Sequence, residues 1–392
     1  MKIALLCTGL GNIYRGHEIF ARDLFSLVSA SVDMTLFKGG GEPAEKEVVV
    51  PNISRSSPLL QHITPMSSPK WASMAVTQEQ LRIEAETFSY AVLGQLLEGD
   101  FDIIHCLEYE VCERLYGLRH LFLKTPKIVF SNGGAIVAAE LPPCDFVQEH
   151  SPNNLLSSAK GKSFMVPHGV DVRLFHPGVR SDFRAQHGIP ADVFLVISVG
   201  TICYHHKRMD HVIREVAALP HAHLLLVGQE SADMPAIVAL GNALMPGRIT
   251  FTKMPHDELP LAYAAADVFV LGSLFETFGI VYIEAMAMGL PVISTNHPNQ
   301  QAIIQEGIFI DMATPGLLSA ALRDTPAERF EELGRKGRDI AVRDYDLDTL
   351  RQRYVDHYTA ICAAPTQLPE FTASDRVKAH AKNLYKRARR ML

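Results

Sequence analysis

Short apolar runs bounded by Gly, Pro or Asn alternate along the chain with segments that have the period of a helix. Runs of Val, Ile, Leu and Phe without polar alternation are typical of strands buried on both faces of a parallel sheet. In the first half of the chain the predicted strands are Ile3–Cys7, Met34–Phe37, Ile103–Cys106, Ile128–Phe130 and Phe164–Val166. In the second half they are Phe194–Val199, Leu224–Val227, Ile249–Phe251, Val268–Leu271, Val292–Ser294 and Ile308–Ile310. Each half therefore predicts an α/β unit with a doubly wound parallel sheet.

The length of the chain supports the same division. There are 392 residues, whereas a single hydrophobic core stops growing at roughly 250 to 300 residues. The stretch from Phe175 to Pro190 is polar and contains both Pro and Gly, which favours a hinge. We predict a first Rossmann-like domain over residues 1–175, a linker over 176–190, a second Rossmann-like domain over 191–345 and a C-terminal segment over 346–392.

Charge and cysteine content exclude some classes of function. The net charge of −6 gives no overall attraction to nucleic acid. The six cysteines include no C-x-x-C pair, which favours free thiols in a reducing compartment. The apolar run after Lys2 is too short for a secretion signal, and no apolar stretch reaches the ~20 residues of a membrane span. We therefore expect a cytoplasmic protein.

The stretch from Ser273 to Thr295, SLFETFGIVYIEAMAMGLPVIST, carries the most chemical information. It predicts a helix that begins near Gly279, directly after a strand and a loop. The first amides of a helix have no partner within the helix and its dipole is positive there, so this end suits a phosphate. Glu284 lies five residues past Gly279, about 7.5 Å along the axis, and Glu276 precedes it.

Two carboxylates thus flank one predicted phosphate site. Carboxylates accept hydrogen bonds from vicinal hydroxyls, so a ribose diol suits Glu284 and sugar hydroxyls suit Glu276. The alternative is that both are solvated glutamates near a helix start. A dinucleotide fingerprint at Gly9, Gly11 and Gly16 is disfavoured because the third glycine comes too late and no acidic residue ends the second strand.

With seven residues between them, Glu276 and Glu284 resemble the E-x7-E motif of the retaining GT-B glycosyltransferases of family GT4. Further similar blocks occur in the same order as in that family: the glycine loop after Cys7, VPHGVD at 166–171, SVGTICYHHKRMD at 198–210 and AYAAADVFV at 262–270. The resemblance implies a GT-B fold, in which two Rossmann-like domains face each other across a cleft. It also implies that the C-terminal helix returns toward the first domain.

The resemblance assigns roles to individual residues. Catalytic roles fall to Glu276 at the donor sugar, Lys207 at the phosphates, and His105 near the sugar's C6 hydroxyl at the cleft mouth. Donor binding is assigned to Gly11, Gly200, Arg208, Phe278, Gly279, Ile280, Val281 and Glu284. The family commonly has an arginine where this chain has Thr201, and we consider Arg208 or another base as its replacement.

The same resemblance implies the reaction. The donor is a nucleoside-diphosphate sugar, with UDP favoured and GDP as an alternative, and no cofactor or metal is expected. The acceptor is a glycan, a lipid-linked glycan or a small molecule, with Arg15, His17 and Asn132 as candidate acceptor-side groups. Alternatives on the same fold are a nucleotide-sugar epimerase, a phosphorylase, and a non-catalytic nucleotide-sugar binding protein, which Thr201 favours.

The segment from Asp375 to Leu392 contains seven Lys or Arg residues. A basic end of this kind is suited to the anionic inner face of a membrane, where each cation adds about 1 kcal/mol. Its apolar face is thin, so a solvated tail is the alternative.

Overall fold

The computed structural model describes residues 1–13, 16–61, 63, 72–134 and 136–366. Arg15 and the basic segment from Asp375 to Leu392 lie outside these residues. The strands β1 to β13 are, in chain order, Lys2–Cys7, Asp33–Lys38, Glu47–Val49, Ile103–Cys106, Lys127–Ser131, Phe146–Glu149, Ser163–Met165, Phe194–Val199, Ala222–Val227, Ile249–Thr252, Val268–Val270, Val292–Thr295 and Ile308–Ile310.

The helices alternate with the strands. Helices α1 to α13 are, in chain order, Gly16–Val28, Ala72–Glu98, Tyr109–Leu118, Pro152–Ser157, Phe183–Gln186, Met209–Ala217, Met234–Leu244, Leu259–Ala265, Ile280–Ala287, Pro298–Ile304, Leu317–Asp324, Ala327–Ile340 and Leu347–Ala363. Short 3-10 turns occur at Pro58–Leu60, Arg119–Leu121, Ala138–Glu140 and His256–Glu258, and a π-helical turn spans Ala341–Tyr345.

The first sheet has seven parallel strands in the described chain, in the order β3-β2-β1-β4-β5-β6-β7. Its central strand β1 pairs with β2 and β4, so that Ile3 lies opposite both Met34 and Ile103. The sequence pattern did not predict β3 and β6. Strand β3 has three residues at the sheet edge, and β6 includes the buried polar residues Gln148 and Glu149, which interrupt the apolar run.

The second sheet has six parallel strands in the described residues, in the order β10-β9-β8-β11-β12-β13. All six strands predicted from the sequence are present, with ends that differ by at most two residues. In both sheets the strand order reverses beside the first strand, between β1 and β4 and between β8 and β11. This is the doubly wound order whose crevice lies at the carboxyl ends of the strands.

Apolar cores cover both faces of each sheet. In β1, Ile3 and Leu5 point into one core and Leu6 into the other, which explains the uninterrupted apolar run. Helix α13, although it follows the second sheet in sequence, buries Tyr354 and Tyr358 in a core of the first sheet. The chain therefore crosses between the two sheets twice.

Both sheets belong to one compact unit, Met1–Cys362. A second unit comprises residues 363–392, of which 363–366 are described. The six cysteines are free thiols. Over the described residues, no helix combines the length and the apolar character needed to cross a membrane.

Candidate functional site

The switch points of the two sheets open onto one cavity of about 430 Å³. Loops and helix starts from both sheets line it: Gly16, His17, Phe20, Leu107, Tyr109, Phe130, Ser131, Gly133, Gly134, Ile136, His150, His168, Lys207, Glu276, Thr277, Phe278, Gly279 and Ile280. The cavity is therefore the crevice expected at the carboxyl ends of strands in a doubly wound fold.

Helix α9 begins at this cavity. Its N-cap is Gly279, whose φ of 81° lies in the left-handed region that disfavours side chains. A Cβ at this position would lie 2.6 Å from the ring of Tyr282, which is fully buried. Glycine therefore allows the first turn of α9 to start beside the cavity, with the amides of Ile280 and Val281 at its positive end.

Glu276 lies on the cavity wall just before that helix and is 5% exposed. Its Oε1 accepts hydrogen bonds from Lys207 Nζ and Ser273 Oγ, each at 2.6 Å. Its Oε2 faces His206 Nε2 at 3.6 Å. The structure thus brings together Glu276, Lys207 and Gly279, which the sequence analysis assigned to one site.

Two buried side chains that the sequence analysis did not identify fix the loop of Glu276. Asn299 Nδ2 donates to the carbonyl oxygens of Glu276 and Thr277, at 2.8 Å each. Gln300 Nε2 donates to the Glu276 carbonyl at 2.7 Å. Both residues lie at the start of α10, where no motif distinguished them from other polar residues of a helix start. They hold the loop by its backbone and leave the Glu276 carboxylate for other contacts.

Lys207 and Arg208 are adjacent in sequence but point to different partners. The stem of Lys207 packs over Gly200, where an added Cβ would come within 3.0 Å of its Cε. The Arg208 guanidinium instead donates to the carbonyl oxygens of Gly272 at 3.3 Å and Met312 at 2.6 Å. Arg208 thus ties the ends of two strands together, while Lys207 faces the cavity.

Glu284, the fifth residue of α9, is 2% exposed. Its Oε1 lies 2.7 Å from His256 Nε2, and its Oε2 accepts a 2.8 Å hydrogen bond from the hydroxyl of Tyr263. The hydrogen bond to Glu284 raises the pKa of His256 above its ordinary value. The sequence analysis missed His256 as a partner, because no spacing rule links residue 256 to residue 284.

His105 lies inside the fold, which corrects the expectation that it stands at the cleft mouth. It is fully buried, and its Nδ1 lies 2.8 Å from the hydroxyl of Tyr358 in α13. Burial lowers its pKa to about 3, aided by the neighbouring His150. The side chain points into the core because residues alternate between the two faces of a strand, and the return of α13 covers this face.

Among the described residues, the histidines that line the cavity are His17, His150 and His168. The rings of His150 and His168 stack at 4.4 Å, and His168 also contacts Phe278 beside the start of α9. Burial lowers the pKa of His150 to about 4 and that of His168 well below its ordinary value. Both rings are therefore neutral near pH 7 and offer an aromatic surface at the boundary between the two sheets.

His17 belongs to a polar cluster at the carboxyl ends of β1 and β4. Its Nε2 lies 3.3 Å from Glu108 Oε1, which also accepts from the Thr8 amide at 2.8 Å. Burial alone would raise the pKa of Glu108, but the hydrogen bonds from His17 and Thr8 hold it below its ordinary value. Cys7, His17 and Glu108 are close enough together to share a metal ion. The pKa of the Cys7 thiol is raised well above its ordinary value by burial, which disfavours the thiolate that metals bind.

Asn132 and Gly11 support loops. The side chain of Asn132 is fully buried, where its Oδ1 accepts from the Ile136 amide at 2.9 Å and its Nδ2 donates to Glu149. It thereby closes the loop that presents Gly133 to the cavity. Gly11 has a φ of 91°, and a Cβ there would lie 2.1 Å from the Gly40 carbonyl oxygen. Its small size serves the packing of two loops.

Comparison with known proteins identifies a family match in the second half of the chain and a curated relative that matches about half of the chain. Residues 193–332 match the family described as glycosyl transferases group 1. The D-inositol 3-phosphate glycosyltransferase 1 of Catenulispora acidiphila is 31% identical over 198 residues, which are 47% of this chain and 47% of that protein. The chain thus spans about half the length of this curated relative.

Solved structures resemble nearly the whole chain. Sucrose-phosphate synthase from Thermosynechococcus elongatus has a TM-score of 0.75 at 21% identity, over 93% of this chain and 100% of that one. The HepE protein of Anabaena, solved in complex with UDP-glucose, has a TM-score of 0.69 at 15% identity, over 92% and 100%. At these identities the likeness concerns the fold, which is the two-domain GT-B arrangement.

Proposed function

We propose that the protein transfers a sugar from a nucleoside-diphosphate sugar to a hydroxyl acceptor, because residues 193–332 match the group 1 glycosyl transferases and the chain has a GT-B fold. The transfer retains the anomeric configuration and needs no metal. The observation that carries the proposal is the Lys207–Glu276 pair, which lies at the cavity beside the N-terminus of α9.

We assign the three parts of the donor to the cavity and to helix α9, which begins at it. The diphosphate takes the amides at the start of α9 and the ammonium of Lys207. The ribose diol takes Glu284, which lies five residues along the same helix, about 7.5 Å away along its axis. The donor sugar takes Glu276, whose carboxylate His206 and Lys207 flank. A UDP-sugar is the favoured donor, and the UDP-glucose complex of HepE supports that choice.

Transfer requires the bond between the anomeric carbon and the diphosphate oxygen to break, with its electron pair leaving on the diphosphate. The acceptor oxygen forms the new bond on the same face, and its proton passes to a phosphate oxygen. Lys207 and the helix amides stabilise the charge that grows on the leaving group. The aromatic and apolar wall opposite, which includes Tyr109, Phe130 and Ile136, excludes water that would compete with the acceptor.

A thermal-shift screen tests the nucleotide site first. UDP, GDP, ADP, CDP, TDP and NAD are each added without metal, followed by the sugar conjugates of any that bind. A ligand at 100 times its dissociation constant adds about 2.7 kcal/mol to the stability of the folded state, which raises the melting temperature by a few degrees. We expect a shift with one nucleoside diphosphate. A shift with NAD alone, or with none of these ligands, would contradict the proposal.

Turnover is then measured as release of the nucleoside diphosphate from the selected donor, with glycans, lipid-linked glycans and small polyols as acceptors. We expect the product to keep the anomeric configuration of the donor, as observed by proton NMR. Binding of the donor without release of diphosphate under any of these conditions would favour the non-catalytic alternative. Contact of the segment 375–392 with a membrane stays a prediction.

A further inference from the structure

Four basic residues in succession, His205 to Arg208, follow the first strand of the second sheet. A diphosphate leaving group carries more negative charge than one ammonium neutralises, so a second cation near Lys207 would assist its departure. Thr201, where the family resemblance leads one to expect an arginine, is exposed and uncharged. The structure shows which of the nearby bases can take that place.

The Arg208 side chain already has hydrogen-bond partners outside the cavity. The backbone of this residue has a φ of 49° at the start of α6, and its guanidinium donates to two carbonyl oxygens at the ends of β11 and β13. Turning it toward the cavity would leave both carbonyls without this donor. The guanidinium therefore has a structural role in joining the strand ends.

His206 and Lys207 contact different oxygens of the Glu276 carboxylate. His206 Nε2 is 3.6 Å from Glu276 Oε2, whereas Lys207 Nζ is 2.6 Å from Glu276 Oε1. Each oxygen of one buried carboxylate thus faces a different basic side chain. The His206 side chain is 60% exposed, compared with 15% for Lys207, so its ring has room to turn from Glu276 toward a bound ligand.

We propose that His206, in its protonated form, is the second cation that holds the donor diphosphate and stabilises its charge as it leaves. This inference rests on the proposed glycosyl transfer. The imidazolium donates a hydrogen bond to a phosphate oxygen and keeps its proton, so it changes the charge balance and not the atoms transferred. Glu276 Oε2 positions the ring between turnovers, and this oxygen becomes available to the donor sugar when the ring moves to the phosphate.

Four variants separate charge from bulk. His206→Gln keeps a hydrogen-bond donor but removes the charge, and His206→Arg keeps both. His205→Gln is the matched control, because His205 is exposed in the same loop and pairs with no carboxylate in the described part of the chain. His206→Gln combined with Thr201→Arg supplies a cation from the position that is uncharged here. Release of the nucleoside diphosphate is measured with UDP-glucose, UDP-N-acetylglucosamine and GDP-mannose as donors. Binding of UDP and GDP is measured by calorimetry.

For the donor that the wild-type protein uses, we expect His206→Gln to lower kcat about ten-fold, the loss typical of one charge-assisted contact. KM should change less, because the charge on the phosphate is greatest in the transition state. His206→Arg and the double variant should recover most of kcat, and His205→Gln should match wild type. Equal kcat in His206→Gln and His205→Gln would overturn the inference, as would a loss that neither arginine restores. Wild-type protein that binds no nucleotide would overturn the proposed function itself, and this inference with it.

Discussion

At the residue scale, Lys207 and Glu284 are proposed to contact different parts of the donor, so their loss should affect different constants. Lys207→Ala should lower kcat about 100-fold or more, because the ammonium acts on charge that develops in the transition state. Glu284→Ala should weaken binding of the nucleoside diphosphate about 10- to 100-fold, since two ribose hydroxyls lose their acceptor. Steady-state kinetics and calorimetry on the same preparations measure both effects.

Lys336→Ala is the control for these two variants, because Lys336 is a surface lysine that pairs with Glu332 on α12. It should behave as wild type in both assays. Wild-type constants for Lys207→Ala and Glu284→Ala would show that the donor binds elsewhere.

The pair of His256 and Glu284 makes the free energy of unfolding depend on pH. The hydrogen bond to Glu284 raises the pKa of His256, and the charges of Asp23 and Asp257 add to this. A raised pKa in the folded state stabilises the protein below the ordinary pKa of histidine, about 6.5, and this stabilisation is lost as the pH rises through the raised value. The side chain is 51% exposed, so water screens the effect.

We therefore expect His256→Gln to melt about 1 to 2 °C below wild type at pH 5.5 and to approach wild type at pH 8.5. Melting curves over this range measure the difference. A gap that widens with rising pH would have the wrong sign for this pair. His187→Gln is a suitable control, because His187 stacks on Phe183 far along the sequence from Glu284.

At the scale of an element, the start of α9 depends on the backbone conformation of Gly279. Gly161 has the same φ of 81°, but no atom of the described residues lies within 4 Å of an added Cβ there, whereas a Cβ at Gly279 would meet Tyr282 at 2.6 Å. Gly161→Ala should cost about 1 to 2 kcal/mol for the left-handed conformation alone. Gly279→Ala should cost about 1 to 3 kcal/mol more, because Tyr282 is fully buried and its hydroxyl is held by Ser294.

Urea unfolding measures these free energies, and nucleotide binding gives an independent readout. We expect Gly279→Ala to weaken UDP or GDP binding while Gly161→Ala leaves it unchanged. Equal unfolding free energies for the two variants would mean that α9 shifts freely around residue 279, which would remove the argument for a fixed phosphate site.

At the scale of the whole molecule, the pattern of apolar runs predicted the second sheet completely and the first sheet in part. The runs were sufficient wherever a strand is buried on both faces by apolar side chains, as in Phe194–Val199. The apolar pattern failed to predict β6, where Gln148 Nε2 donates hydrogen bonds to the hydroxyl oxygen of Tyr354 and to the Val166 carbonyl oxygen. A buried polar network of this kind depends on a partner some 200 residues away in sequence, which no local pattern contains.

The candidate site also combines residues that a local sequence pattern predicts with residues that contact them from distant parts of the chain. The E-x7-E spacing could predict Glu276 and Glu284 together because both lie within one loop and helix. Asn299, which holds the backbone of the Glu276 loop, and His256, which contacts the Glu284 carboxylate, lie in other elements and came from the structure alone. His105 was misplaced for the same reason, since the residue that covers it, Tyr358, lies 253 positions further along the chain.

The return of α13 to the first sheet makes the stability of that sheet depend on the C-terminal part of the chain. This helix buries Leu350, Tyr354, Tyr358 and Ile361 in the first core. Tyr358 also provides the 2.8 Å partner of His105, whose other ring nitrogen has no partner among the described residues. Removal of 347–392 should therefore expose an apolar face and leave buried polar groups unsatisfied, each at a cost of about 1 to 3 kcal/mol.

We expect a chain that ends at residue 346 to lose the cooperative unfolding of the first sheet. Hydrogen exchange of the amides in β1 and β4 measures this loss. A chain that lacks only 375–392 should keep the wild-type melting temperature. Tyr358→Phe distinguishes the polar contact from the apolar one, because it removes the hydroxyl and retains the ring. It should destabilise the first sheet by about 1 to 3 kcal/mol, the cost of leaving His105 unpaired. Wild-type protection of β1 in the chain that ends at 346 would show that the first sheet folds without α13, and the two sheets would then be independent in stability.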